Sequence, residues 1–525
     1  MKKCAYLLLF ALFAFGTNLS AQPYRYLDQV FTQASKTTAV YGSNFTVLTI
    51  GTPLAHTSRQ PLVMDVYTPD GDVETSRPLI IYCHTGNFLP WINPSTMLSI
   101  NGACGGLRTD SAAVEICTRL AKMGYVVASI DYRLGWRPDL ADELQRRFTL
   151  INAAYRGVQD VRTCVRYFRK TVAEGGNPYK IDPNRIAVFG QGTGGYLSLN
   201  TAALDKYSEI LNTSEPGKFI ISGFPMIIEA YNGDPYGIQA TPGIVDATYG
   251  AITGYPVGDT LYVQNHPGYS SDFNLAVNMG GALGDKAWLD ANTPPILSFH
   301  TPSDPYAPCG DGTVIVPGFN YAVVNVTGSC GVAPIQDGLG NNAVFAFGGL
   351  LNDALSVHAR TLNNNSEAFY PLYRPATDSA PWEWNGFVPN TQLPNGMIVP
   401  LPCSTNAAAA RTTTDTIMDY FAPRACRALG LDCPGVSVST EDLIKNGAIV
   451  SIQPNPATTE INFMTQDNNL MLSVELIDVS GRTVRNVRNV NNNQLTVHRD
   501  GIAPGVYFAK IQFREGIITK KVILE

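Results

Sequence analysis

The sequence predicts an α/β fold, a doubly wound and mostly parallel sheet, followed by a small all-β domain. From about residue 44 to residue 429, short β-rich runs alternate with helical segments, which favours a sheet covered by helices on both faces. The run PLIIYCH (78–84) is apolar almost throughout, as are strands buried on both faces. From residue 448 onward, short alternating runs separated by Pro-Asn-Pro, Ser-Gly and Asn-Asn-Asn turns are typical of a small sandwich.

Length and composition indicate a multidomain globular protein. The chain has 525 residues, of which 45% are hydrophobic, so a sizeable core is available. The formal net charge is -6 and no basic tract or stripe is visible, which argues against nucleic acid as a partner.

The N-terminus has the pattern of a secretory signal peptide over residues 1–21. Lys2 and Lys3 precede an apolar segment over residues 5–15, and the small residue Ala21 precedes the expected mature start. The apolar segment is short for a membrane span, and no later stretch approaches about 20 apolar residues. We therefore expect an exported protein without a transmembrane helix.

Export permits disulfide bonds, and the cysteine spacing offers candidates. Nine cysteines remain after the predicted cleavage, so at least one is free or pairs with another chain. Cys83 lies in the apolar run and is the expected buried thiol. Cys309 with Cys330 would close one loop, and Cys426 with Cys433 a short one, although other pairings stay open on spacing alone.

The large domain shows a regular succession of elements. A helix is expected after Asp110 with a stop at Gly124, then the strand YVVASIDY and a long helix over residues 143–173. The strand NRIAVFG leads through a glycine-rich turn into a helix from about Thr193. The runs FIISGF and PPILSFH read as two further strands of the sheet. The run TTTDTIMDYFAPRACRALG reads as a closing helix, broken or kinked at Pro423.

The composition and pattern of the sequence change after Cys433, the last cysteine. The segment from residue 435 to 447 is polar and is the expected linker. We therefore divide the chain into a signal peptide (1–21), an α/β domain (22–434), this linker (435–447) and a β domain (448–525).

The β domain resembles the type A sorting domain of the type IX secretion system. The matching stretches are IQPNPATTEINF, VELIDVSGRTV, GIAPGVYFAKI and the terminal KKVILE, in the expected order. The resemblance implies an immunoglobulin-like sandwich, a partnership of residues 448–525 with the secretion machinery, and a protein that is released or attached to the outer cell surface.

The large domain resembles α/β-hydrolases of the carboxylesterase type over roughly residues 62–429. HTGNF (84–88) stands where that family has its oxyanion loop. GYVVASIDYRLGW, YRGVQDVRTCVRYFRK and KIDPNRIAVFGQGTGG resemble its strand, helix and nucleophile elbow. TPPILSFHTPSDPYAP resembles the strand and loop that carry the acid of its catalytic triad.

The elbow motif has no nucleophile at its expected position. A G-x-S-x-G motif would place serine where this chain has Gly192. Glycine adopts the unfavourable backbone conformation of an elbow freely, so the replacement relaxes the turn while removing the attacking atom. Thr193 carries a hydroxyl one position later. We favour a role for it as a helix N-terminal residue over that of a substitute nucleophile.

The acid position is occupied, whereas the base position is not clearly filled. The resemblance places Asp304 at the acid position. His358 is the only histidine of the large domain after it, but its segment LLNDALSVHART is helical in pattern, which favours a structural role over that of the base. If EAFYPLYR is the last strand, the following loop PATDSAPW contains Asp378 and no histidine.

The remaining site residues come from the oxyanion loop. The resemblance implies that Gly86, Asn87 and Thr193 present backbone N–H groups to a ligand oxygen. We expect no metal and no cofactor, since the acidic residues of SDPYAPCGDG are too sparse for a dedicated calcium loop.

Three functions are compatible with these features, and the third is that of a purely structural surface protein. The favoured one is a secreted or surface-attached carboxylesterase-like protein that is catalytically impaired, a pseudoenzyme, and binds an ester, a carbohydrate or another surface ligand. The alternative is an active carboxylic-ester hydrolase on carbohydrate esters or polyesters, using Thr193 or a base-activated water with Asp304 and His358.

Overall fold

The structure is a computed structural model. It describes residues 23–47, 56–86, 88, 106–138, 140–316, 320–346, 349–384, 390–392, 398–400, 403–404, 406–433, 436, 450–465, 470–479, 482–513 and 517–525. The predicted signal peptide and nearly all of the predicted linker lie outside these residues, so both stay predictions.

The described strands and helices follow one another in the order that the sequence pattern predicts for an α/β domain and a β domain. The strands are β1 (Ala34–Thr46), β2 (Ser58–Pro69), β3 (Arg77–Cys83), β4 (Val126–Ile130), β5 (Ile181–Gln191), β6 (Ile220–Ile221), β7 (Phe224–Pro225), β8 (Gly243–Ile244), β9 (Thr260–Tyr262), β10 (Leu275–Met279), β11 (Ala282–Leu283), β12 (Ile296–His300), β13 (Asp311–Val316), β14 (Tyr321–Gly328), β15 (Phe369–Pro371), β16 (Ala380–Trp384), β17 (Asn390–Gln392), β18 (Ile398–Pro400), β19 (Cys403–Ser404), β20 (Val450–Gln453), β21 (Glu460–Thr465), β22 (Met471–Asp478), β23 (Thr483–Asn492), β24 (Gln494–His498), β25 (Gly505–Phe513) and β26 (Ile517–Leu524). The helices are α1 (Ser111–Lys122), α2 (Glu143–Glu174), α3 (Thr193–Ala203), α4 (Tyr207–Leu211), α5 (Glu229–Asn232), α6 (Ala247–Thr253), α7 (Ser329–Gly338), α8 (Ala343–Ala346), α9 (Ala354–Leu362) and α10 (Ala407–Ala428).

Eight strands form the central sheet of the large domain, in the order β1-β2-β4-β3-β5-β10-β12-β15. The pairs β1–β2 and β2–β4 are antiparallel, and all later pairs are parallel. The carboxyl ends of the parallel strands therefore share one edge, where ligands bind in open α/β sheets. The predicted α/β class is confirmed.

Helices cover both faces of this sheet, and β3 shows why its sequence is apolar throughout. Ile80 and Tyr82 pack in one core with residues of α1 and α10, whereas Leu79 and Ile81 pack in another with residues of α2 and α3. All seven residues of β3 are buried, as expected for a strand between two helix layers.

Most predicted elements are found, and three corrections have physical reasons. The run FIISGF (219–224) contains the two-residue strand β6 and the first residue of β7, and these two short strands pair with each other outside the central sheet. The strand that pairs with β5 on the side away from β3 is instead β10. Its apolar pattern is interrupted by Asn278, which is tolerated there because its buried amide is hydrogen-bonded to Gly281 and Ser329. Pro423 does not break the closing helix: α10 continues past it to Ala428, and the residues on either side of Pro423 are buried.

Both candidate disulfides are present. Cys309 is bonded to Cys330, and Cys426 to Cys433. The first bond ties the loop after β12 to the start of α7. Cys83 is a buried free thiol, as expected, and burial raises its pKa.

The C-terminal residues form an all-β unit with its own core. One sheet has the strand order β20-β21-β24 and the other β23-β22-β25-β26. Phe463, Val474, Ile511 and Val522 are among the residues buried between them. Of the helices in the described part of the chain, none has the length and apolar character that a membrane crossing requires.

Candidate active site

Gly192 lies at the tip of the turn between β5 and α3. β5 ends at Gln191 and α3 begins at Thr193, and Gly192 has a φ of 56° and a ψ of -117°. Its N–H donates to the carbonyl of Met279 at 2.7 Å, and its carbonyl accepts from Tyr196 N at 3.1 Å. The positive φ favours glycine, since other residues are strained there.

The neighbouring glycines allow α3 to approach the sheet closely. A Cβ atom at Gly190 would lie 1.9 Å from the Gly194 carbonyl oxygen, and one at Gly194 would lie 1.9 Å from the Cys83 carbonyl oxygen. A Cβ at Gly195 would lie 2.4 Å from Asn278 Oδ1. The glycines of VFGQGTGGYL thus serve helix-to-strand packing, independently of any nucleophile.

Thr85 occupies the space beside Gly192. A Cβ atom at residue 192 would lie 2.1 Å from Thr85 Oγ1 and 2.6 Å from Thr85 Cβ. The Thr85 hydroxyl also accepts a hydrogen bond from Thr193 N at 3.2 Å. Sequence reasoning missed this residue, although threonine in HTGNF at a position where the resembled loop has glycine was a usable signal.

The Thr193 hydroxyl is buried among other hydroxyl groups. Its Oγ1 atom lies 3.1 Å from Tyr132 Oη and 3.5 Å from Thr85 Oγ1. Tyr132 donates its own proton to the carbonyl of His84 at 2.8 Å, so in the pair with Tyr132 the Thr193 hydroxyl is the donor. The side chain of Thr193 therefore contacts neutral groups.

Asp304 lies in the loop after β12 and is almost fully buried, with 7% of its side chain exposed. It accepts hydrogen bonds from Tyr306 N at 2.7 Å and Ala307 N at 3.3 Å. Burial raises the pKa of Asp304 to about 7, against the lowering effect of these backbone bonds. His300 Nε2 is 4.0 Å from the carboxylate, but this ring is bonded to Ser329 Oγ and the Ala307 carbonyl, both at 2.9 Å, and braces the loop.

The structure does not bring His358 to Asp304. His358 lies on α9 with an exposed side chain, and within the described residues no hydrogen bond or ion pair joins it to Asp304. Instead, the buried Trp382 follows the last sheet strand. Its Cη2 atom lies 3.2 Å from the position of a Cβ at Gly280, and Asp304 Oδ2 lies 3.7 Å from the same point.

Of the expected oxyanion donors, Gly86 and Thr193 can be located, and Asn87 lies outside the described residues. Gly86 has a φ of 142°, and the Thr193 N–H already donates to Thr85. In the described part of the chain, no three metal-binding side chains come together.

Two family models match separate parts of the chain. Residues 64–222 match the BD-FAE family, and residues 451–525 match the secretion system C-terminal sorting domain. A search of curated proteins finds no match.

Solved structures of one esterase show a distant similarity. Thermogutta terrifontis esterase 2 phosphorylated by paraoxon is similar at 17% identity over 52% of this chain and 73% of that chain, with a TM-score of 0.28. Its apo form is similar at 16% identity over 52% and 74%, with a TM-score of 0.26. These scores are too low to carry an argument about activity. From the family matches and the fold, the chain combines an esterase-like α/β-hydrolase domain of the BD-FAE type with a type IX sorting domain, which directs it to secretion or to the cell surface.

Proposed function

We propose that this protein is a catalytically impaired member of the esterase-like α/β-hydrolases, which acts outside the cell by binding a ligand or surface. The observation that carries the proposal is Gly192, which leaves the tip of the β5–α3 turn without a side chain. Serine hydrolases attack from that position with a hydroxyl oxygen.

The second support is that, among the described residues, no imidazole or carboxylate is hydrogen-bonded to the Thr193 or Thr85 hydroxyl, and the His84 ring beside them stacks on Tyr132. The Thr193 hydroxyl contacts the hydroxyls of Thr85 and Tyr132, and these are neutral groups at ordinary pH. Burial raises the pKa of Tyr132 further, so it stays protonated. A hydroxyl attacks an ester effectively only when a base takes its proton.

The third support concerns the acid position. An orienting carboxylate acts by holding an imidazole. Among the described residues, the histidine near Asp304 is His300, whose ring nitrogens are already bonded to Ser329 and to the Ala307 carbonyl. Loss of triad members in serine hydrolases lowers turnover about a million-fold, leaving roughly 10³–10⁴ over water. We expect ester hydrolysis at this residual level.

Binding is the activity that remains for such a domain. The sorting domain directs the chain to the exterior, where we propose an ester, a carbohydrate or another surface ligand as its partner. Residues 448–525 engage the secretion machinery in this proposal.

The test uses the chain without residues 1–21, assayed with p-nitrophenyl acetate and butyrate and with a fluorophosphonate probe. We expect turnover close to that of buffer and no labelling. Thr193→Ala is the control variant, because it removes the hydroxyl that the alternative requires. Robust turnover that disappears in Thr193→Ala would establish an ester hydrolase with a non-standard nucleophile and contradict our proposal.

Binding is measured separately by calorimetric titration of glucose pentaacetate, a carbohydrate ester, and of butyrate. Saturable binding of either compound without turnover supports the proposal. Failure of both to bind counts against a ligand pocket at this edge of the sheet.

A further inference from the structure

We propose that Thr85 is a built-in occupant of the pocket, which fills the space of the missing nucleophile and takes the hydrogen-bond donor that a ligand oxygen would use. The inference rests on the proposed function and adds that the innermost part of the site is closed. A ligand then lies outside Thr85 or displaces it.

Strand register brings the two residues together. Cys83 of β3 pairs with Gly190 of β5, and Thr85 and Gly192 each follow two residues later on their chains. Both segments leave the carboxyl edge of the sheet side by side. The Thr85 side chain therefore fills the space that the glycine at residue 192 leaves open.

Thr85 leaves no room for a side chain at residue 192. Real Cβ atoms essentially never approach another heavy atom closer than 3.0 Å, whereas a Cβ at residue 192 would lie 2.1 Å from Thr85 Oγ1. Thr85 Cβ would be 2.6 Å away, so rotation of the threonine side chain alone does not relieve the contact. A side chain at residue 192 and Thr85 in its present place exclude each other.

The hydrogen bond gives Thr85 a second role. The first N–H groups of a helix have no partner within the helix. Gly192, at the cap position of α3, has no side chain to accept from them, and Thr85 Oγ1 accepts from Thr193 N instead. Serine and threonine hydroxyls commonly cap helices in this way. The same N–H is the one that would bind a carbonyl or carboxylate oxygen.

The surroundings favour an occupant over a substitute nucleophile. From Thr85 Oγ1 the nearest hydroxyls lead through Thr193 and Tyr132 to the backbone carbonyl of His84. A backbone carbonyl accepts a hydrogen bond but does not remove a proton. Thr85 therefore closes the pocket without gaining reactivity.

The experiment is a double-mutant cycle on unfolding, with Gly192→Ala introduced into the wild-type and the Thr85→Gly chains. The strain of alanine at a positive φ is common to both backgrounds and cancels. We expect Gly192→Ala to lower the unfolding midpoint by roughly 1–4 °C more in the wild type than in Thr85→Gly. Equal shifts in the two backgrounds would overturn the inference.

Thr85→Val is the matched control, because valine keeps the volume and loses the hydroxyl. Gly192→Ala should cost as much in the Thr85→Val chain as in the wild type. If the cost instead falls to that in Thr85→Gly, the space-filling argument is wrong.

A binding measurement covers the case in which Gly192→Ala does not fold. Thr85→Gly exposes the Thr193 N–H, so we expect it to bind butyrate at least tenfold more tightly than the wild type. No gain in affinity overturns the inference. Neither the unfolding midpoint nor the butyrate affinity depends on ester turnover. Robust hydrolysis by the wild type would therefore refute the proposed function, whereas the role of Thr85 would still be decided by these two measurements.

Discussion

Replacing Gly194 with alanine should destabilise the large domain, although helix propensity alone predicts the opposite. Gly194 lies in the first turn of α3, where alanine is favoured over glycine by about 1 kcal/mol. A Cβ there would lie 1.9 Å from the Cys83 carbonyl oxygen, whereas ordinary contact begins at 3.4 Å, so α3 must move by about 1.5 Å. Overpacking typically costs about 1–3 kcal/mol, and backbone yields less readily than side chains. We expect a loss of about 3 kcal/mol or more.

Urea unfolding followed by tryptophan fluorescence measures this loss. All five tryptophans precede residue 434, so their fluorescence reports on the large domain alone. The control is Gly338→Ala at the end of α7, where a Cβ meets nothing within 4 Å, and we expect a gain of about 0.4–1 kcal/mol. A Gly194→Ala protein as stable as the wild type would refute the packing argument.

Three further predictions concern other parts of the large domain. Replacing Cys309 and Cys330 by alanine should lower the free energy of unfolding by about 3 kcal/mol, since the bond closes a loop of 21 residues. Asp160→Ala should cost about 3–5 kcal/mol, because it leaves the fully buried Arg133 without its carboxylate partner, as urea unfolding would show. The pKa of Asp304 near 7 means that the folded state keeps a proton which the unfolded state releases near pH 4. The Asp304 carboxyl should therefore contribute a loss of stability as pH rises from about 4 to 7, by up to about 1.4 kcal/mol per pH unit, and the buried His300, whose pKa is lowered to about 4, contributes the opposite slope below about pH 6.5. Relative to the wild type, Asp304→Asn should therefore gain stability as pH rises from about 4 to 7, as urea titrations at several pH values would show.

The fold was largely predictable because its signals are local. The apolar run of β3, the strand, turn and helix around Gly192, and the turn-rich C-terminal domain all lie within short windows. The errors came where burial contradicted the local pattern. Asn278 breaks an apolar run but lies inside β10, because two buried partners satisfy its amide.

The candidate site was predictable only in part. The missing hydroxyl at Gly192 is a one-letter observation, and the helical pattern around His358 already favoured a structural role. The distant partner of Asp304 was not predictable, since Ser379, whose hydrogen bond lowers the pKa of the Asp304 carboxyl, follows it by 75 residues and no motif connects the two.

By itself, the sequence determined the fold class, the presence of a sorting domain and the absence of a side chain at Gly192. Tertiary structure decided what fills that position. Thr85 and Gly192 are separated by 107 residues and meet only because β3 and β5 pair in the register that places Cys83 opposite Gly190. Periodicity along a chain encodes which face of an element is buried. It does not encode which loops lie side by side at the edge of the sheet. That depends on strand order and register, which are set by the packing of the whole sheet.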